Sequence, residues 1–332
     1  MKQFIFLFCL TLILISCNRN PLKINVSNVS LDLKIKHLDV DLLQLRQDEM
    51  PSAIPILKAS YGDFFDIFTY RMIAIGGTEQ EHFPELLYSF VSDTLIRQLE
   101  TQVAQKIDTI ELLEDLEAAF KHYRYYFPQK ALPVIYTCIS GFNQSVVTAD
   151  QLIGVSLDKY LGTESPFYPQ LGLPAYKRRN MHPQKIVPDM MYAWATTEFP
   201  KADEGNSLLS HMIHEGKMMY FTEAMLPELA DTMIIGFTNQ QLEFCKQSEA
   251  SMWAFLAEHK LLFSTDRMSI KRFMDDGPYT SAFTDASPGR TGTWIGWQIV
   301  RSYMKQNKEV KLKDLMEMND YQAVLNQSGY QP

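Results

Sequence analysis

The sequence predicts an α+β body, mainly helical, in which a small β-sheet packs on a central helix. Three observations point there. Apolar residues recur at helical spacing over 81–124, 206–225, 238–262 and 293–305. Residues 132–157 change texture, with Leu132-Pro133-Val134-Ile135-Tyr136-Thr137-Cys138-Ile139 and Gln151-Leu152-Ile153-Gly154-Val155-Ser156-Leu157 reading as strands. The chain has 332 residues, 46% hydrophobic and 21% charged, which excludes a largely disordered polymer.

Composition also narrows the partners. Lys plus Arg is 31 and Asp plus Glu is 39, a formal charge of −8. An acidic chain is poorly suited to phosphate backbones, so no nucleic-acid partner is expected. Four cysteines are too few for a disulfide scaffold.

The N-terminus gives the compartment. Lys2 precedes an apolar run from Phe4 to Ile15, the length of a signal-peptide core and too short to span a bilayer. It ends in Leu14-Ile15-Ser16-Cys17, which resembles a bacterial lipobox. That resemblance implies a lipoprotein signal peptide over 1–16 and acyl chains, palmitate among them, on Cys17. The expected anchor is therefore lipid in a membrane, since several acyl chains bind where one binds only marginally. Residues 17–30 read as the lipidated Cys and a tether, with Asn18-Arg19-Asn20-Pro21 polar. No acidic run follows Cys17, so no signal for surface display is read and the body is expected in the periplasm; the expected anchor site is the outer membrane. With Cys9 removed and Cys17 lipidated, Cys138 and Cys245 remain. They are expected as two buried thiols, with a disulfide as the alternative.

Residues 31–332 then read as one globular body, with a mainly helical part over 31–130 and a second part over 131–332. Leu31, Leu33 and Ile35 alternate with Asp32, Lys34 and Lys36, a half-buried strand pattern. Tyr61, Phe64, Phe65, Phe68 and Tyr70 suggest a helix with an aromatic face. Residues 81–124 look helical until Phe127-Pro128 stops them. Ser145-Val146-Val147-Thr148 reads as a further strand. Residues 163–190 hold five prolines and read as a long, packed loop. The 206–225 helix has Asn206 or Ser207 as its cap, and it is the element on which the sheet is expected to pack. Gly292 and Gly296 give a GxxxG spacing suited to close helix packing.

One constellation has chemical potential. The central helix reads Ser210-His211-Met212-Ile213-His214-Glu215-Gly216-Lys217-Met218. A zinc protease presents two His at i and i+4 with a Glu after the first. His214-Glu215 supplies the first half, but Met218 stands where the second His belongs, and a thioether is a poor zinc ligand there. His211 shares the face of His214, and Glu249 on the following helix could complete a set. The candidate remnant pocket is thus His211, His214, Glu215 and Glu249, with Glu249 expected near His214 and the group held by hydrogen bonds instead of metal. The plainer alternative leaves these as ordinary helical residues, with Glu249 on a solvated face. No cofactor is expected on either reading, and zinc belongs only to the peptidase alternative. There is no nucleophile elbow, P-loop or calcium loop.

Beyond the lipobox the chain carries Lys36-His37-Leu38-Asp39-Val40-Asp41-Leu42, Tyr61-Gly62-Asp63-Phe64-Phe65 and Ile153-Gly154-Val155-Ser156-Leu157-Asp158-Lys159-Tyr160-Leu161-Gly162. It also carries Lys217-Met218-Met219-Tyr220-Phe221-Thr222-Glu223-Ala224-Met225-Leu226-Pro227 and Pro288-Gly289-Arg290-Thr291-Gly292-Thr293-Trp294-Ile295-Gly296-Trp297-Gln298-Ile299-Val300. Through these segments, most strongly 217–227, the chain resembles the GldB-type gliding-motility lipoproteins of the Bacteroidetes. The C-terminal part is distantly similar to zincin-like peptidases, which implies a zincin-like body. The family resemblance implies a non-catalytic, membrane-anchored component or scaffold of gliding or related envelope machinery, with envelope proteins as partners. A metal-dependent peptidase with a divergent HExxH site is the alternative.

Overall fold

Four short strands form one mixed sheet: β1 (Ile35–His37), β2 (Val134–Cys138), β3 (Val146–Ala149) and β4 (Leu152–Ser156). The order is β1-β2-β4-β3, with β1, β2 and β4 parallel and β3 antiparallel to β4. The computed structural model describes residues 20–202 and 206–332. Cys17 and the expected signal peptide therefore lie outside the described residues.

β4 is buried along its whole length, as a strand covered on both faces must be. On one face Tyr136 pairs in register with Gly154. The Phe64 ring stacks on Tyr136 with centroids 4.5 Å apart. A Cβ at position 154 would overlap that same Phe64 ring, so the strand needs a glycine there. The opposite face carries Ile135 and Ile153, both fully buried.

The chain between β1 and β2 is helical: α1 (Leu38–Leu43), α2 (Met50–Tyr61), α3 (Asp63–Ile67), a π-helical turn (Phe68–Met72), α4 (Phe83–Ser92), α5 (Thr94–Lys106) and α6 (Thr109–Tyr126). The helical texture of 81–124 is thus divided into three helices. The divisions fall at Asp93 and Asp108. Each carboxylate accepts from two backbone N–H groups of the next helix, which starts a new helix where periodicity alone reads through.

Residues 163–190 are more structured than a loop. They hold two single helical turns (Phe167–Gln170 and Ala175–Arg178), a 3-10 turn (Pro183–Lys185), and the start of α7 (Ile186–Glu198). Pro188 sits in the first turn of α7, where a missing N–H goes unneeded.

α8 (Leu208–Met225) is the central helix, and the Ser207 side chain accepts from the Ser210 N–H at its start. Beyond it come α9 (Asp231–Ile235), α10 (Asn239–Glu258), α11 (Arg267–Met274), α12 (Thr291–Gln306), α13 (Leu312–Glu317) and α14 (Tyr321–Ser328). α8 and α12 cross with their backbones in contact. A Cβ on Gly296 would overlap the Met212 carbonyl, and one on Gly216 would overlap the Gly296 backbone. Gly292 faces α11 instead, where its Cβ would lie 2.7 Å from the Met274 sulfur.

The expected packing of the sheet on the 206–225 helix needs correction. The sheet lies against α7, with Thr148 and Thr197 hydroxyls 2.6 Å apart. α7 in turn packs on α8. α7 can fill this middle layer because Ile186, Val187, Met190, Met191, Trp194 and Ala195 are all buried. One hydrophobic cluster runs from Leu22 to Val324. Cys138 and Cys245 are free and buried.

The segment ahead of β1 is docked on the body. Leu22 is buried, the Asn20 amide donates to the Pro227 carbonyl at 3.4 Å, and Lys23 pairs with Glu228 at 2.5 Å.

Candidate functional site

One turn apart on α8, His211 and Glu215 project into a cleft of about 510 Å³. Tyr192 of α7 lines it, with Lys271 and Met274 of α11 and Thr293 in the first turn of α12. Arg290, the residue before α12, completes the inner wall. The i, i+4 spacing on a regular helix puts both α8 side chains on one face.

Glu215 is the half-buried acid on the α8 side of the cleft. Its Oε2 accepts from the Tyr192 hydroxyl at 2.5 Å. Burial raises its carboxyl above the usual range, opposed by the Tyr192 bond and the charge of Arg290. Burial also raises the Tyr192 hydroxyl, with the Glu215 charge next. Arg290 adopts a left-handed backbone, φ 56 and ψ 34, uncommon for a residue with a Cβ. Its guanidinium Nη2 donates to the Ile235 carbonyl. Its Nε is buried without a hydrogen-bond partner. Burial lowers the His211 imidazole, and the Lys201 charge adds to this.

His214 belongs to a different part of α8. Its ring stands edge-on to Tyr321, centroids 6.3 Å apart, and its buried Nδ1 has no hydrogen-bond partner. Burial pushes this imidazole down to about 4, helped by the charges of Lys217, Lys201 and His211. Lys217 is 1% exposed. It donates to the Met318 carbonyl at 2.6 Å and lies 5.7 Å from the centre of the Tyr321 ring. Burial pushes its ammonium down to about 8.

The four candidate residues therefore divide. His211 and Glu215 share the cleft, and His214 faces Tyr321. Glu249 takes the Tyr330 hydroxyl at 2.7 Å on its Oε1. No hydrogen bond or ion pair joins Glu249 to His214 among the described residues. Met218, where a zinc protease has its second His, is fully buried. Among the described residues no group of three or more His, Cys, Asp and Glu is placed to hold a metal ion. His211, His214, Glu215 and Glu249 are not brought together as one set of zinc ligands.

Tyr192 escaped the sequence reading because it sits on another helix, 23 positions from Glu215. A second polar cluster also escaped it. Arg301 of α12 makes two bonds to Asp231, at 2.8 and 2.6 Å, and reaches Glu223 of α8 at 2.9 Å. Its guanidinium lies 3.8 Å from the centre of the Trp297 ring. This cluster ties α8, α9 and α12 together.

Comparison with known proteins gives one match. A family model described as gliding motility protein GldB, whose label marks a lipoprotein family, matches residues 19–332. No curated protein and no solved structure matches the chain. The distant zincin likeness finds support neither in these comparisons nor in the arrangement around His214. With the match covering α8, the cleft and the whole described body, the chain belongs to the gliding motility protein GldB family.

Proposed function

We propose that the protein is a non-catalytic component of gliding-motility or related envelope machinery, anchored by lipid on Cys17 and facing the periplasm from the outer membrane. Family membership supports the process. The anchor is supported by the lipobox and the family label. No described helix is long and apolar enough to cross a membrane. The docked Asn20 adds a geometric argument. Cys17 is three residues away, and three residues span at most about 10 Å. A lipid there holds the Pro227–Glu228 edge of the body against the bilayer.

The buried Met218 carries the non-catalytic reading. It removes the second imidazole that a helical zinc site requires, while Glu249 is committed to Tyr330. A scaffold needs neither group.

Fractionation of Cys17→Ala tests the anchor. Wild type is expected in membranes with a lipid label. The variant is expected in the soluble fraction with an unchanged unfolding midpoint. Retention of the variant in membranes with no loss of lipid label would overturn the anchoring.

A further inference from the structure

Opposite charges that share a small cleft normally collapse into an ion pair. Glu215 and Arg290 do not. Each is near enough for the Arg290 charge to bear on the Glu215 carboxyl, yet no ion pair joins them among the described residues. Both are held by other bonds. The Tyr192 hydroxyl fixes Glu215, and the Ile235 carbonyl fixes Arg290. The buried Nε of Arg290 is left without a partner, a cost that a ligand oxygen would relieve. Arg267, Lys271 and Asp275 line the same cleft, two cations against one acid, and none forms an ion pair among the described residues.

We propose that this cleft binds a small zwitterion, a dipeptide with both termini free. The ammonium meets Glu215. The carboxylate meets Arg290, with Arg267 and Lys271 attracting it at the mouth. A simple anion would leave the Glu215 carboxylate facing it, and a simple cation would face Arg290, so either places like charges together. A ligand with both charges completes both groups. The volume of about 510 Å³ falls within the range of small-molecule sites. The two groups are fixed before binding, which lowers the ordering cost. Binding requires no metal and no reaction, so the inference is independent of the lipid anchor and goes beyond the scaffold role.

The test is calorimetric titration of the detergent-solubilised full chain with a panel of Ala-Xaa dipeptides covering every side-chain class. N-acetylated and C-amidated forms of the best binder serve as controls. At least one free dipeptide should bind saturably at one site. Either cap, and Glu215→Gln, should weaken it on the order of tenfold or more, the scale of losing one partner of a buried charge pair. Glu215→Gln keeps an oxygen for the Tyr192 hydroxyl, so its unfolding midpoint should stay close to wild type. Arg290→Lys keeps the charge and should retain part of the affinity. The proposal is overturned if no dipeptide binds at millimolar concentration, if capped forms bind equally, or if Glu215→Gln leaves affinity unchanged.

Discussion

Lys217→Met should stabilise the protein at neutral pH. Lys217 is 1% exposed in the middle of α8, with the Met318 carbonyl as its hydrogen-bond acceptor and no carboxylate paired to it among the described residues. Burial lowers it from 10.5 to about 8. At 1.36 kcal/mol per pH unit, that fall corresponds to about 3 kcal/mol. The native state binds fewer protons than the unfolded chain between about 8 and 10.5, so stability rises with pH across that window. Below about 8 both states are protonated, and the full burial penalty applies. Methionine keeps the apolar stem and removes the charge, losing the bond to Met318, worth about 1 kcal/mol. The net gain is about 2 kcal/mol at pH 7. By about pH 10.5 the wild-type lysine folds without a charge penalty, and the variant becomes the less stable protein by about 1 kcal/mol. Urea unfolding of both proteins at the two pH values reads this directly. A variant less stable than wild type at pH 7, or a difference that is the same at both pH values, would refute the reasoning.

Gly296→Ala places a methyl on the Met212 carbonyl. Relief requires moving α8 or α12, so urea unfolding should show a loss of about 3 kcal/mol. Arg301→Lys keeps the charge but cannot make the paired bonds to Asp231 while reaching Glu223, so a loss of about 2 kcal/mol is expected in the same assay. His214 stays neutral in the folded chain down to about pH 4, while its unfolded value is 6.5. Its contribution to stability is therefore lost as pH falls from 6.5 through about 4. Between pH 7 and 4, wild type should lose about 3 kcal/mol more than His214→Gln, measured by thermal or urea unfolding at each pH.

Local patterns in the sequence translated well into structure. The GxxxG at Gly292 and Gly296 marked a close helix approach, and Gly296 makes it against α8. Ser207 was one of the two caps expected for α8, and its side chain accepts from Ser210. The strand textures at 132–157 became β2, β3 and β4. Long-range partners were harder to read. β1 pairs with β2 through Ile35 and Ile135, 100 residues apart, and no local periodicity encodes a parallel pairing across six helices. The sequence places the sheet directly on the 206–225 helix, whereas α7 lies between them; the prolines of 163–190 hide the start of α7. A proline in a first helical turn looks the same in sequence as one in a loop. Within the site, the His-Glu spacing drew attention to α8, and His211 and Glu215 do share a cleft. Their neighbours Tyr192 and Arg290 come from either side of α8 in sequence. Glu249 went elsewhere because Tyr330, from the C-terminal end, supplies its hydrogen bond.

Metal content tests the proposed non-catalytic role, which needs no zinc on α8, most directly. Full chain purified without chelators, alongside His214→Ala, should be analysed by plasma mass spectrometry. Substoichiometric zinc is expected in both, unchanged by the substitution, because the buried Met218 and the Tyr330-bound Glu249 leave His214 without co-ligands. One zinc per chain in the wild type, lost in His214→Ala, would contradict the non-catalytic assignment.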